Sequence, residues 1–151
     1  MRLFSTAFTA HAWIPRRFTC EGENVSPPLA WSDAPVGTRS FALVCADPDA
    51  PGGVWYHWAI FDIPPGAHGL AEDQPAVAAG MHQAMNDFRH IGYGGPCPPR
   101  GDAPHHYRFR LYAVNRAPLG IGPGMSCRRV EAEAEEHAIA TADLTGLFGR
   151  T

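Results

Sequence analysis

Apolar residues recur along this chain in short runs with a period of two, a pattern that predicts β-strands. Ser40–Ala46 is an almost continuous apolar run, and Trp55–Ile63 is a second one after a polar loop. Both runs are apolar on two faces, so we predict strands in the interior of a sheet. In the second run the alternation predicts one face with Trp55, His57, Ala59 and Phe61, and another with Tyr56, Trp58, Ile60 and Asp62.

A third run, Tyr107–Val114, alternates strictly and so predicts a strand with one exposed face. Two further extended segments are predicted at Leu3–Phe8 and Ser26–Trp31, where two consecutive prolines exclude a helix. The third run and the residues before it are predicted to place His105, Tyr107, Phe109 and Leu111 inward and His106, Arg108 and Arg110 outward.

One segment near the C-terminus has helical spacing. Ser126 is a typical N-cap residue, and the Ala- and Glu-rich stretch from about Cys127 to Thr141 is predicted to be a helix. A short final strand or docked tail is expected at Leu144–Phe148, whereas Ala67–Ala84 has no pattern that predicts regular structure. The apolar stripe of the helix is predicted to consist of Val130, Ala134, Ala138 and Thr141.

Composition restricts the fold and the classes of partner. The 151 residues include 16 glycines and 15 prolines, which favours short strands joined by many turns over long helices. This length predicts a single domain, residues 1–151, with a core that needs no disulfide to fold. The net charge of −3 and the lack of a long basic run argue against a nucleic-acid-binding protein.

The cellular location and the state of the cysteines are inferred from sequence features that the chain lacks. No apolar run reaches about 18 residues, and the N-terminus has no signal-peptide region, so we expect a cytoplasmic protein without a membrane span. The cysteines contain no Cys-x-x-Cys pair, so reduced thiols are expected and neither a zinc knuckle nor any cofactor is predicted. They are Cys20, Cys45, Cys97 and Cys127.

The candidate chemistry lies in two loops beside the predicted strands. Asp47–Trp58 contains two carboxylates, two prolines that stiffen it, and His57. A Gly/Pro-rich loop, Gly92–Gly101, leads to His105 and Tyr107. If the strands are neighbours, the two loops converge on one pocket.

Several of these motifs follow one another in a distinctive order: Asp47-Pro48-Asp49-Ala50-Pro51, His57-Trp58, Gly92-Tyr93-Gly94-Gly95-Pro96-Cys97-Pro98-Pro99 and His105-His106-Tyr107. In this order they resemble the phosphatidylethanolamine-binding protein family. Within it the chain is similar to the short bacterial branch often labelled Raf-kinase-inhibitor-like. Asn24–Trp31 and Ala140–Gly146 also fit, so the resemblance covers nearly the whole chain.

The resemblance implies a mainly β fold, a β-sandwich with a large central antiparallel sheet, a smaller second sheet and a C-terminal helix. It also implies a small cavity for an anion such as phosphate or a phosphoethanolamine head group, and we expect a binding protein rather than an enzyme. A phosphoprotein or kinase partner and a homodimer are implied by the family alone. Carried onto this sequence, the ligand-binding residues are Asp47, Trp55, His57, Gly95, Cys97, Pro99, His105 and Tyr107.

The residue types themselves also favour an anion site. Asp47 is expected to accept a hydrogen bond from a histidine, or from a hydroxyl or ammonium group of the ligand, and so to fix orientation and favour a protonated imidazole. The expected donors to the anion are the rings of His57 and His105, the Tyr107 hydroxyl, and free amides at Gly94, Gly95 and Cys97.

Two alternatives stay open at this point. An Asp/His pair could act as general acid and base in a small hydrolase, although the sequence contains no nucleophile elbow. His57, His105 and Asp47 could instead bind a metal ion. Arg89-His90-Ile91 departs from the family's pattern after Phe88, which predicts a bulkier, more basic rim and leaves the ligand size open.

Overall fold

The computed structural model describes residues 1–75, 78 and 80–151. Five strands form one antiparallel sheet in the order β6-β4-β3-β7-β8, and β1, β2 and β5 form a second, smaller sheet. The predicted fold class is confirmed, with a helix near the C-terminus. The elements are β1 (Arg2–Phe4), a 3-10 turn (Arg16–Phe18), β2 (Leu29–Ser32), β3 (Ser40–Asp47), β4 (Trp55–Ile63), β5 (Gly69–Leu70), β6 (His82–Gln83), β7 (His105–Val114), α1 (Cys127–His137) and β8 (Ala138–Phe148).

Both faces of the central sheet are covered, which explains the continuous apolar runs of β3 and β4. Every residue of β3 is buried. On one face the small sheet contributes Leu29 and Trp31 to a core that also contains Phe109. On the other face α1 contributes Val130 and Ala134 to a second core. The loops that connect the strands at one end of this double-faced sheet carry the candidate site.

The pairing between β3 and β4 contains an extra residue at His57. Cys45 pairs with Trp58. The next residue of β3, Ala46, pairs with Tyr56, so His57 has no partner across the ladder. Such a bulge re-aims side chains and reverses the alternation of the strand. It lies at the end of β4 that faces the candidate site.

The predicted faces of β4 are therefore wrong in part. Tyr56 packs with Ala59 and Phe61 in the core under α1. Trp58 and Ile60 lie in the opposite core, beside the small sheet. Alternation in sequence cannot show a bulge, because the bulge is determined by pairing with the neighbouring strand.

The predicted end of the helix is also wrong. α1 ends at His137, and Ala138 begins β8, which pairs with β7 along its whole length. Thr141, predicted to lie on the helix stripe, pairs with Tyr112 and is exposed. Strand pairing outweighs the helix propensity of the Ala-rich segment here. β8 is accordingly longer than the final strand that the sequence predicts.

Two other segments differ in length from expectation. β1 covers only Arg2–Phe4, the three residues that pair with β2, whereas the sequence predicts Leu3–Phe8. Ala67–Ala84, for which the sequence predicts nothing regular, contains the two-residue strands β5 and β6. Residues 76, 77 and 79 of that stretch lie outside the described residues.

The cysteines form one disulfide. Cys20 and Cys97 are bonded, with their Cα atoms 5.4 Å apart, so reduced thiols are the wrong prediction for this pair. The two are 77 positions apart in the sequence, and only the fold brings their loops together. Cys45 and Cys127 are free and buried.

Among the residues that the structure describes, no helix has the length and apolar character to cross a bilayer.

Candidate functional site

A cavity of about 210 Å³ lies where the end of β3 and the starts of β4 and β7 meet. Seven of the eight predicted ligand-binding residues line it, and Gly95 does not. The sequence-derived idea that the two loops converge on one pocket is thus supported by the placement of their side chains. The lining consists of Asp47, Ala50, Pro51, Trp55, His57, Phe88, Cys97, Pro98, Pro99, His105 and Tyr107.

His105 is held between two carboxylates. Its Nδ1 lies 2.7 Å from Asp47 Oδ2, and its Nε2 lies 3.0 Å from Asp102 Oδ2. Ionised carboxylates only accept hydrogen bonds, so both ring nitrogens donate and the ring is an imidazolium. Burial alone would lower the pKa of His105, but the bonds to Asp47 and Asp102 outweigh it and raise the pKa above its ordinary value.

Asp47 has the orienting role that the sequence predicts. It is 3% exposed, and while one oxygen accepts from His105, the other accepts from the backbone N–H of Asp49 at 2.8 Å. Asp49 in turn accepts from the ring and backbone of His106, which is exposed as predicted. The loop after β3 thus fixes two histidines of β7 through two carboxylates.

His57 is in a different protonation state from His105. Its Nδ1 lies 2.6 Å from the carbonyl oxygen of Gly94, which can only accept, so Nδ1 carries a proton. Burial lowers the pKa of His57 below its ordinary value, and the bond to Gly94 only partly offsets this. The ring is therefore neutral near pH 7, and its Nε2 is an acceptor.

Tyr107 lines the cavity beside both histidine rings, at centroid distances of 5.2 Å from His57 and 6.4 Å from His105. Its hydroxyl is buried, and among the described residues it has no hydrogen-bond partner. Burial, and then the charge of Asp47, raise the pKa of Tyr107, so the hydroxyl stays protonated. Within the described part of the chain, no acceptor receives the proton of this buried donor.

The rim of the cavity is apolar and aromatic. The ring of Phe88 makes edge contacts with Trp55 and His57, with centroids 5.4 and 5.3 Å apart. Phe88 was missed as a site residue, as were Ala50, Pro51 and Pro98, because apolar residues in loops carry no chemical signal. Ala50, Pro51 and Pro98 lie within the two motif-bearing loops, a position that could have indicated them, whereas Phe88 lies outside both.

The loop Gly94–Cys97 packs back onto the protein instead of offering free amides. Gly94 N–H donates to the carbonyl of His57 at 3.0 Å, and Gly95 N–H donates to Asn24 Oδ1 at 2.8 Å. The prediction that these two amides are free is therefore wrong. Gly95 supports the cavity wall from behind, whereas Cys97 lines the cavity and joins the wall to Cys20.

Arg89-His90-Ile91, the segment predicted to make the cavity rim bulkier and more basic, lies outside the cavity lining. Arg89, His90 and Ile91 are exposed, and none of them lines the cavity. His90 instead lines a neighbouring depression that shares Phe88 and Cys97 with the cavity. The predicted basic rim therefore lies beside the entrance and not in it.

The side-chain contacts also bear on the metal alternative. Both ring nitrogens of His105 and the Nδ1 of His57 are engaged in hydrogen bonds. Within residues 1–75, 78 and 80–151, one group of possible metal ligands converges within 4.8 Å: Glu133, Glu136 and His137. This group lies at the end of α1 and contains none of the cavity residues.

The two-sheet β fold and the small cavity at its strand ends define a structural class, and comparison with known families specifies it further. Residues 4–149 match the family described as Phosphatidylethanolamine-binding protein. The chain belongs to this family, as its motifs predict.

Bacterial members are similar over nearly the whole chain. A UPF0098 protein of Aquifex aeolicus is 43% identical over 152 residues, which cover 99% of this chain and 89% of that protein. The crystal structure of Escherichia coli YbcL, described as a member of the mammalian PEBP family, matches with a TM-score of 0.94 at 34% identity, covering 99% of this chain and 98% of that one. A homologue from Chlamydia trachomatis matches with a TM-score of 0.88 at 35% identity, covering 99% and 97%.

Proposed function

We propose that this protein binds a small anion, either phosphate or the phosphate of a phosphoethanolamine head group, in the cavity between β3, β4 and β7. The observation that carries the proposal is the convergence of His57, His105 and Tyr107 on one cavity, beside which the Tyr107 hydroxyl has no partner among the described residues. A buried donor without a partner costs about 1–3 kcal/mol, and a bound acceptor removes that cost. A phosphate oxygen is an acceptor of this kind.

The size of the cavity limits what it can hold. Its volume of about 210 Å³ is below the roughly 300–1,000 Å³ of pockets for drug-sized ligands. The cavity therefore suits a head group and not a whole lipid. Whatever carries the phosphate would lie against the apolar rim of Trp55 and Phe88. A lipid head group and a phosphorylated side chain present the same terminal group, so we compare both as ligands.

Proton placement predicts how the anion binds. His57 presents an unprotonated Nε2, which repels a phosphate oxygen unless one of the two carries a proton. The proton can come from solvent or from a phosphate in its singly ionised form. Binding is thus coupled to proton uptake, and affinity should rise as the pH falls toward 6.

We infer that the protein is not an enzyme. His105 donates both of its protons to carboxylates, so the base that remains in the cavity is His57 Nε2, which would need a nucleophile to activate. Asp47 is engaged by His105 and by Asp49, and the described residues that line the cavity include no serine, threonine or free cysteine. The test is an assay with p-nitrophenyl phosphate, and turnover that His57→Gln abolishes would contradict this inference and favour the hydrolase alternative.

Binding itself is tested by calorimetry on purified protein treated with a chelator. We expect saturable binding of phosphate and of phosphoethanolamine with a dissociation constant in the range of about 1 μM to 1 mM, ordinary for such small ligands. Titration with a phosphoserine peptide tests for a phosphoprotein or kinase partner. Analytical sedimentation tests whether the protein is a homodimer. Folded protein that binds none of these ligands would contradict the proposal.

The cytoplasmic location stays a prediction. The Cys20–Cys97 bond is of a kind that persists mainly in oxidising compartments, so it does not support that prediction. Cell fractionation with an antibody against the native protein decides the matter.

A further inference from the structure

We propose that the carboxylate of Asp102 is a built-in competitor of the anionic ligand. It accepts the Nε2–H of His105, and an anion that uses this N–H must displace it. The inference rests on the proposed function, since it concerns how the same site is regulated.

The competition follows from the number of protons on His105. The protonated ring has two N–H groups, and both nitrogens lie within hydrogen-bond distance of carboxylates of the protein itself. An external anion can therefore reach the charge of His105 only by taking the place of Asp47 or of Asp102.

Of the two carboxylates, Asp102 is the one that can leave. The side chain of Asp47 is 4% exposed, and its second oxygen is engaged by Asp49 N–H. The side chain of Asp102 is 41% exposed. A carboxylate that regains water on leaving loses little, whereas a buried one would be left unpaired.

The surroundings of Asp102 allow the side chain to move while the backbone stays. Its N–H donates to Pro99 O at 3.3 Å, and the N–H of Gly101 donates to Arg150 O at 2.9 Å. Asp102 and His105 also line a surface depression of about 350 Å³, which shares His105 with the cavity. A rotation of the Asp102 side chain into this depression releases the N–H.

Asp49 provides a matched control. Its side chain is also 41% exposed, it lines the same depression, and its carboxylate pairs with His106 at 2.7 Å instead of with His105. Neutralising Asp49 therefore removes the same charge from the same neighbourhood and leaves both N–H groups of His105 occupied.

The experiment measures the dissociation constant of inorganic phosphate at pH 6 and fixed ionic strength. The proteins are the wild type, Asp102→Asn, Asp102→Ala and Asp49→Asn. We expect Asp102→Ala to bind phosphate about three- to fivefold more tightly than the wild type, the range expected when a half-exposed ion pair is removed. Asp49→Asn should change the affinity by less than about twofold, because only a screened charge is lost.

Two results would overturn the inference while leaving the proposed function intact. If Asp49→Asn gains as much phosphate affinity as Asp102→Ala, the loss of one negative charge near the site explains the gain. If Asp102→Ala binds phosphate more weakly than the wild type, Asp102 only positions His105. If none of the four proteins binds phosphate, the proposed function fails and this inference fails with it.

A second readout does not depend on affinity. Nitrogen NMR of the His105 ring should show, on addition of phosphate to the wild type, a change at Nε2 and little change at Nδ1, which stays with Asp47. Changes at both nitrogens, or at neither, would also overturn the inference.

Discussion

Three rings in the cavity wall differ in the protons that they offer a ligand. His105 is an imidazolium whose two protons are already donated, His57 is a neutral ring with a free acceptor, and Tyr107 is a hydroxyl with a free proton. The sequence predicts the residue types and their convergence. It cannot predict these proton positions, because they depend on Gly94 and Asp102, which approach through the fold.

The two buried histidines should titrate on opposite sides of the ordinary value of about 6.5. Burial lowers the pKa of His57, and the carboxylates of Asp47 and Asp102 raise that of His105 against the effect of burial. A proton and nitrogen NMR titration of the two rings checks both directions. A pKa of His57 at or above that of His105 would contradict the assignment.

These directions also fix the sign of the pH dependence of stability. For His105 the folded pKa is the higher one, so its contribution is complete below about pH 6.5 and is lost as the pH rises through the folded pKa. For His57 the folded pKa is the lower one, so its contribution is complete above about pH 6.5 and is lost as the pH falls through the folded pKa. Urea unfolding of His57→Gln should show less acid destabilisation than the wild type; an unchanged dependence would contradict the assignment.

Tyr107→Phe separates a binding role from a structural one. We expect the free energy of unfolding to stay the same or to rise by up to about 1 kcal/mol, because an unpaired buried hydroxyl is removed. Phosphate affinity should fall about tenfold, since a donor to the anion is lost.

The control for this variant is Tyr93→Phe. The hydroxyl of Tyr93 donates to Phe18 O at 2.7 Å, so its removal should cost about 1 kcal/mol of stability with no effect on phosphate binding. Chemical unfolding and calorimetry measure the two quantities. Loss of stability in Tyr107→Phe with unchanged affinity would assign the hydroxyl to the fold.

At the level of elements, the strands are predictable and their irregularities are not. β3 and the start of β7 have the burial that their sequence patterns predict, because each follows a regular alternation or an apolar run. The bulge at His57 breaks this regularity and turns the ring toward Tyr107. Local sequence cannot reveal it, since it arises from the register with β3.

The loop Gly92–Gly101 shows which glycine matters for the cavity wall. A Cβ at Gly95 would meet the carbonyl oxygen of Phe18 and come within 3.0 Å of Thr19 Cα. We therefore expect Gly95→Ala to lower the free energy of unfolding by about 3 kcal/mol, because backbone atoms cannot move aside as a side chain can. Phosphate affinity should fall as well, since the wall loses its support.

Gly66→Ala is the matched control for Gly95→Ala. Nothing lies within 4 Å of a Cβ at Gly66, and its backbone is not in the left-handed region. The substitution should change stability by less than about 1 kcal/mol. Equal costs at the two positions, measured by urea unfolding, would show that the close contact at Gly95 is relieved by a shift of the loop.

For the whole molecule, the succession of family motifs along the chain predicts the fold better than local hydrophobic patterns do. The family and the two-sheet fold follow from motifs spread from Asn24 to Gly146, which have to coexist in one structure. The boundary between α1 and β8 does not follow from these motifs. Ala138–Thr141 has the composition of a helix, and only its pairing with β7 makes it a strand. The disulfide is a similar case, since no local feature of Cys20 indicates Cys97.

The disulfide should stabilise the whole fold without creating the site. It links two residues 77 positions apart in the unfolded chain, and its removal in Cys20→Ala/Cys97→Ala should lower the free energy of unfolding by about 2–4 kcal/mol. Urea unfolding with and without a reductant measures this. The wild type should become as unstable as the variant under reducing conditions, and the variant should not respond to the reductant.

Phosphate binding should nevertheless survive this loss. Other bonds keep the cavity wall in place: Cys20 N–H donates to Pro96 O at 3.1 Å, and Gly95 N–H donates to Asn24 Oδ1 at 2.8 Å. We expect the dissociation constant of the double variant at 25 °C to stay within about twofold of the wild type, as long as the protein remains folded. A large loss of affinity in folded variant would show that the covalent bond itself positions the wall, and the site would then depend on the redox state of its compartment.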